Sequence, residues 1–175
     1  MAQAAGDCSA VRGRYSAWME SRRKLEAALS EAAERAAGAR DRWWIIGSAA
    51  AALHGAATGP VQDIDLLMSA RDAATLLRAG GIAPRPGVPD ARFRSRVFGT
   101  VPLDPFPLEV MGGLHLRTDA GWSPLRLRTR ETVRIGGAAL YVPTAAELSR
   151  LLGRFGRGKD LARAAALERL IEEKD

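Results

Sequence analysis

Gly47-Ser48 and, a short helix-length later, Asp63-Ile64-Asp65 are the residues of this chain whose types and spacing suit chemistry. Two carboxylates spaced i, i+2 on an extended strand project from one face, because side chains alternate with period two. A Gly-Ser turn opening a helix offers unpaired backbone N–H groups and a hydroxyl, which suit phosphate. One half is fitted to a divalent metal and the other to a polyphosphate. Together they point to phosphoryl or nucleotidyl transfer.

A site with two metal ions takes a third carboxylate from a neighbouring strand. Glu109, in Phe106-Pro107-Leu108-Glu109-Val110-Met111, is the best placed, since an acid in an apolar strand is costly unless paired or metal-bound. Asp104, between prolines in an expected loop, ranks second. Each feature has a plainer explanation. Alternation of the aspartates with Ile64 and Leu66 also suits an edge strand with one solvated face. Gly47 also suits a tight strand-to-helix turn, and Ser48 a helix N-cap. The combination on successive elements favours the chemical reading.

Lys159, opening the last helix, could reach a triphosphate with its flexible ammonium; equally, Lys159 and Asp160 could be an exposed first turn. Arg92, Arg94 and Arg96 alternate along one strand face and read more simply as a solvated face than as an anion-binding row. His54 and His115 have no partners at metal-ligand spacing and read as helix-end or loop histidines rather than ligands. Trp43 and Trp44 read as core and boundary packing, with base stacking as the alternative.

The elements that must hold these groups follow from periodicity. Residues 1–15 are expected as a loose N-terminal tail and 16–175 as a single domain. Trp18, Leu25, Ala28, Leu29, Ala32, Ala33 and Ala36 give an amphipathic helix from Ser16 to Ala37. Strands are expected at Arg42–Ile46, Val61–Met68, Phe93–Phe98, Pro107–Met111 (stopped by Gly112-Gly113), Arg126–Ile135 and Ala138–Val142. The last two form a hairpin at Gly136-Gly137. Helices are expected at Ser48–His54, Ala70–Ala79, from the capping box Thr144-Ala145-Ala146-Glu147 to Leu152, and over Lys159–Lys174. That order predicts an α/β (α+β) domain, a mixed β-sheet flanked by helices.

The totals are those of a soluble globular domain: 175 residues, 47% apolar and 26% charged. No apolar run approaches the ~20 residues of a membrane span, and Met1–Cys8 lacks the pattern of a secretory signal. With Cys8 the only cysteine, an intrachain disulfide and a cysteine zinc site are excluded. A cytoplasmic protein is expected. The net charge of +6 draws polyanions, nucleic acid or nucleotides among them. However, only Lys24, Lys159 and Lys174 are lysines, so the charge also fits an arginine-rich genome composition.

Ile46-Gly47-Ser48, an apolar helix, then Asp63-Ile64-Asp65-Leu66 and a later acid resemble the nucleotidyltransferase superfamily of the DNA polymerase β type. The likeness spans residues 42–115, with a spacer (Ala49–Gln62) slightly longer than usual and a glutamate where aspartate is commoner. Gly156-Arg157-Gly158-Lys159-Asp160-Leu161 extends it more loosely toward minimal stand-alone bacterial members. The resemblance implies Asp63, Asp65 and Glu109 as catalytic and metal-binding acids for Mg²⁺ (or Mn²⁺). It implies Gly47, Ser48 and Lys159 as the residues holding ATP or another nucleoside triphosphate. It further implies transfer of a nucleoside monophosphate, AMP from ATP, to a hydroxyl or phosphate on a small molecule, RNA or protein. The alternative within the family is a catalytically weak, antitoxin-type nucleotide-binding protein. Because little chain follows Pro143, the resemblance implies a homodimer or a small helical partner completing the acceptor side, and no membrane.

Overall fold

Apolar runs centred on Ile45, Leu66, Val97 and Val110 pair into one mixed sheet that carries the acids. A computed structural model describes residues 8–56, 59–88 and 90–173. The long helix α1 (Cys8–Ala36) leads into β1 (Trp44–Ile46), α2 (Gly47–Leu53), β2 (Ile64–Met68) and α3 (Ala70–Ala79). Then come β3 (Phe93–Val101), β4 (Leu108–Thr118), β5 (Gly121–Pro124), the hairpin β6 (Glu131–Ile135) and β7 (Ala138–Val142), α4 (Ala145–Phe155) and α5 (Gly158–Glu172). The main sheet has order β1-β2-β4-β3, with β5 pairing β4. β2 and β4 run parallel, while β1 on β2, β3 on β4 and β5 on β4 are antiparallel. This is the mixed sheet with flanking helices that the sequence predicts.

The parallel β2–β4 pair is the relationship that builds the site. Parallel neighbours need a crossover, and α3 supplies part of it. Ser69 caps α3, its side chain accepting from the Asp72 N–H at 3.2 Å, a contact worth about 1 kcal/mol. The Asp72 carboxylate, itself buried, accepts the N–H groups of Arg40 and Asp41, which ties the α1–β1 connection to α3. Leu77 of α3 packs onto Gly99 of β3, where any Cβ would meet it at 2.6 Å.

α1 buries Ala28, Leu29, Ala32, Ala33 and Ala36 along one stripe, and packs on β7. The helix begins at Cys8, not Ser16, so residues 8–15 of the expected tail are helical. No proline interrupts them, and one interior glycine, Gly13, costs only about 1 kcal/mol. Residues 1–7, and the side chain of Trp18, lie outside the described residues.

Three further expectations are corrected. Gly112-Gly113 does not stop β4, which continues to Thr118 and pairs with β5, a strand the sequence reading missed. Gly112 is there for packing, since a Cβ would sit 2.6 Å from that of Ala73. Only Glu131–Ile135 of the expected strand 126–135 is extended in a ladder; Arg128 and Thr129 instead give their N–H groups to Glu147. The capping box is accordingly half formed. Thr144 accepts from the Glu147 N–H, but the Glu147 carboxylate turns to Thr129.

Candidate active site

β1 is three residues long and ends on Ile46, which is paired with Asp65 across the antiparallel ladder. The chain then turns at Gly47, with φ +66, straight into α2. A Cβ at Gly47 would lie 2.0 Å from Oδ2 of Asp65. Glycine is therefore required twice, for its conformation and for the carboxylate lying against it. No side chain caps the first turn of α2, which leaves its N–H groups to other acceptors. Ser48 follows, only 3% exposed.

Asp65 is directly paired with Glu109 on β4, and Glu109 with Thr100 on β3. Directly opposed residues share a face of the sheet, so the two acids are neighbours. Asp63 lies one residue before β2, because the strand starts at Ile64 and not at Val61 as expected. Its charge nevertheless reaches both others. Burial, then the charges of Asp63 and Glu109, push the Asp65 carboxyl up to about 7, with Arg157 and Lys159 opposing the rise. Glu109 is raised by burial and then by Asp63, against the pull of Lys159 and Arg157.

The acids form a hard-oxygen donor set of mutually repelling carboxylates, the chemistry that a divalent cation relieves. Among the described residues, no three His, Cys, Asp or Glu side chains are gathered tightly enough to ligate one ion. Carboxylate oxygens are donors of the kind that Mg²⁺ and Mn²⁺ take, but the three acids do not converge on one point.

Lys159 is exposed on the first turn of α5, as the plainer reading of it had it, yet its charge is felt at Asp65 and Glu109. Asp160 is not exposed at all. It binds Arg157, a residue that sequence reasoning did not assign, through the Arg157 Nε and Nη2. The signal was present: acid and arginine stand i, i+3 across a helix start.

The remaining candidates fall where their plainer readings put them, except that His115, expected at a helix end or in a loop, lies within β4. His54 Nε2 lies 2.8 Å from the Pro143 carbonyl oxygen, and His115 Nδ1 lies 2.9 Å from that of Gly113. Trp43 packs edge-on to Tyr141 at 4.9 Å, and Trp44 donates to the Thr129 carbonyl. Arg92 donates to the Phe155 carbonyl, Arg94 stacks on Trp122 at 4.7 Å, and Arg96 is exposed. Asp104 is exposed in the β3–β4 connection.

Among solved structures, the chain is similar to a candidate nucleotidyltransferase from Thermotoga maritima. The match has a TM-score of 0.60 and 21% identity over 90% of this chain and 94% of that one. This chain has a nucleotidyltransferase fold. Two weaker likenesses accompany it. One is to an antigenic nucleotidyltransferase-like protein from Paracoccidioides brasiliensis, with TM-score 0.45 and 17% identity over 84% of this chain and 76% of that one. The other is to the antibiotic-resistance factor ANT(2'')-Ia, with TM-score 0.46 and 12% identity over 91% and 86%. No protein-family model matches the chain, and no curated protein does. Within this nucleotidyltransferase fold, no helix of the described residues is long and apolar enough to cross a membrane.

Proposed function

We propose that the chain is a Mg²⁺-dependent nucleotidyltransferase that moves a nucleoside monophosphate, AMP from ATP, to a hydroxyl or phosphate acceptor. The observation carrying this reading is the direct pairing of Asp65 with Glu109, with Asp65 lying against the Gly47 turn. Asp63, Asp65 and Glu109 would hold Mg²⁺ or Mn²⁺. When bound, the ion supplies charge stabilisation to the entering and leaving oxygens of phosphoryl transfer.

The chain's own groups do the rest. The N–H groups at Gly47 and Ser48 bind the β- and γ-phosphates, and Lys159 adds a neutralising charge. The acceptor oxygen attacks the α-phosphorus, the bond to the β-phosphate oxygen breaks, and pyrophosphate leaves. The proton of an acceptor hydroxyl passes to a Glu109 carboxylate oxygen. The acceptor is a small molecule, RNA or protein, and a second copy or a small helical partner completes its binding side.

A second reading, nucleotide binding with weak turnover in an antitoxin-type or regulatory protein, is favoured by the open spacing of the acids. Calorimetry with MgATP tests the site itself. Wild type binds, and Asp63→Ala/Asp65→Ala binds at least tenfold more weakly; equal binding refutes the site. Transfer of label from ATP to tRNA, protein or small-molecule acceptors then separates turnover from binding alone.

A further inference from the structure

Asp160 is fully buried at the first turn of α5 and carries a charge that only neighbouring cations can offset. Its carboxylate takes Nε and Nη2 of Arg157 and, at 3.5 Å, Nη1 of Arg163. Arg157 is thereby gripped along one edge of its planar fork. Phe93 and Phe155 add to the grip, their ring centroids lying 5.2 and 5.9 Å from the guanidinium carbon. The turn that brings Arg157 here is built at Gly156, in the left-handed conformation that ends α4.

The other end of the fork is free. Nη1 of Arg157 has no acceptor among the described residues. The guanidinium is near enough to the acids for its charge to act on Asp65 and Glu109. α5 also packs against α2, the helix that opens at Gly47. An arginine held by a buried carboxylate on one edge and open on the other is prepared for a bidentate or single contact with phosphate.

We infer that Arg157 contacts a phosphate of the nucleotide held at Asp63, Asp65 and Glu109, and that the buried Asp160 is a positioning residue that aims it. The inference rests on the nucleotide reading above. It adds a second cation, more rigidly mounted than the exposed Lys159, and explains why an acid is buried in the turn. Loss of Asp160 frees Arg157 to swing into solvent without removing its charge.

The experiment compares ATP (with Mg²⁺) and Mn²⁺ alone as probes, by calorimetry and Mn²⁺ spin resonance, on the full chain. Arg157→Gln is expected to weaken ATP binding about 10- to 100-fold, the worth of one charge-assisted contact. Asp160→Asn is expected to weaken it about 5- to 30-fold. Measured above pH 8, where Asp65 has lost its proton, Mn²⁺ affinity does not fall in either variant, because all three acids are kept and no carboxylate of the site is altered. Asp160→Asn adds nothing in the Arg157→Gln background, since it acts through that arginine. If Asp160→Asn leaves ATP binding intact, or lowers ATP and Mn²⁺ affinity equally, its role is structural and the inference fails. Should Asp160→Asn fail to fold, Arg157→Gln decides: unchanged ATP affinity overturns the phosphate contact. A wild type that binds no ATP overturns the nucleotide reading itself, and with it this one.

Discussion

A methyl group on Gly47 would lie 2.0 Å from the Oδ2 atom of Asp65. The Gly47 turn and the acidic strand are thus fitted against each other, so neither can change alone. Gly47→Ala must strain a backbone at φ +66 and displace the Asp65 carboxylate. The expected cost is about 1–3 kcal/mol in urea unfolding, together with loss of MgATP binding in calorimetry. Wild-type ATP affinity in that variant would show that the turn takes no part.

Asp65 sets a pH dependence. Its carboxyl, pushed up to about 7 by burial and the neighbouring acids, is protonated below that pH and must lose the proton to ligate a cation. Mn²⁺ affinity should therefore fall by roughly tenfold per unit as pH drops below 7, and be nearly flat above 8.

The same shift has a stability sign. A carboxyl raised in the folded state favours folding while protonated and opposes it once charged, so stability is lost as pH rises from about 4 toward 7. Asp65→Asn should then be more stable than wild type at pH 8 without metal, by on the order of 1–3 kcal/mol. Thermal melting of both at pH 5 and pH 8 checks it: the gap must widen at pH 8.

Glu147 works the opposite way. Burial raises its carboxyl, but the Thr129 hydroxyl and the Arg128 and Thr129 N–H groups bring it below the ordinary glutamate value of 4.5. Its stabilisation is present above that value and lost as pH falls below it. Glu147→Gln should destabilise by about 1.5–3 kcal/mol at pH 7, and the difference should shrink on acidification toward pH 3. Urea midpoints across that range measure it.

Gly112→Ala tests the seat of α3 on β4. A Cβ there meets Ala73 at 2.6 Å and the Ala70 backbone at 2.9 Å. The variant should lose about 1–3 kcal/mol through overpacking, read as a lower urea midpoint.

How far the sequence carried the fold depended on local signals. The Gly47 turn, the span of α3 and the Gly136-Gly137 hairpin were legible because each is decided by a few adjacent residues. The continuation of β4 through Gly112-Gly113 was not. Those glycines answer to Ala70 and Ala73 on another element, and a pattern along one strand cannot show what crosses it. For the same reason the pair Asp65 and Glu109 was suspected by chemistry, while its register was visible only in the folded sheet. Arg157 was given no role because the burial of its partner Asp160 depends on elements distant in sequence.

β3 is the outer strand, bonded on its inner side to β4 and met outside, among the described residues, by the stretch around Arg85, which bridges to Phe98. The chain travels from α3 out to this edge before returning to β4, so the excursion between the two acidic strands lies away from β2. Lengthening or rewriting the segment from Gly81 to Asp90 alters the rim and leaves the Asp65–Glu109 pairing in place. The architecture therefore separates what is free to diversify from what must stay fixed. A change of length there is absorbed at the rim, and the carboxylate pair keeps its register.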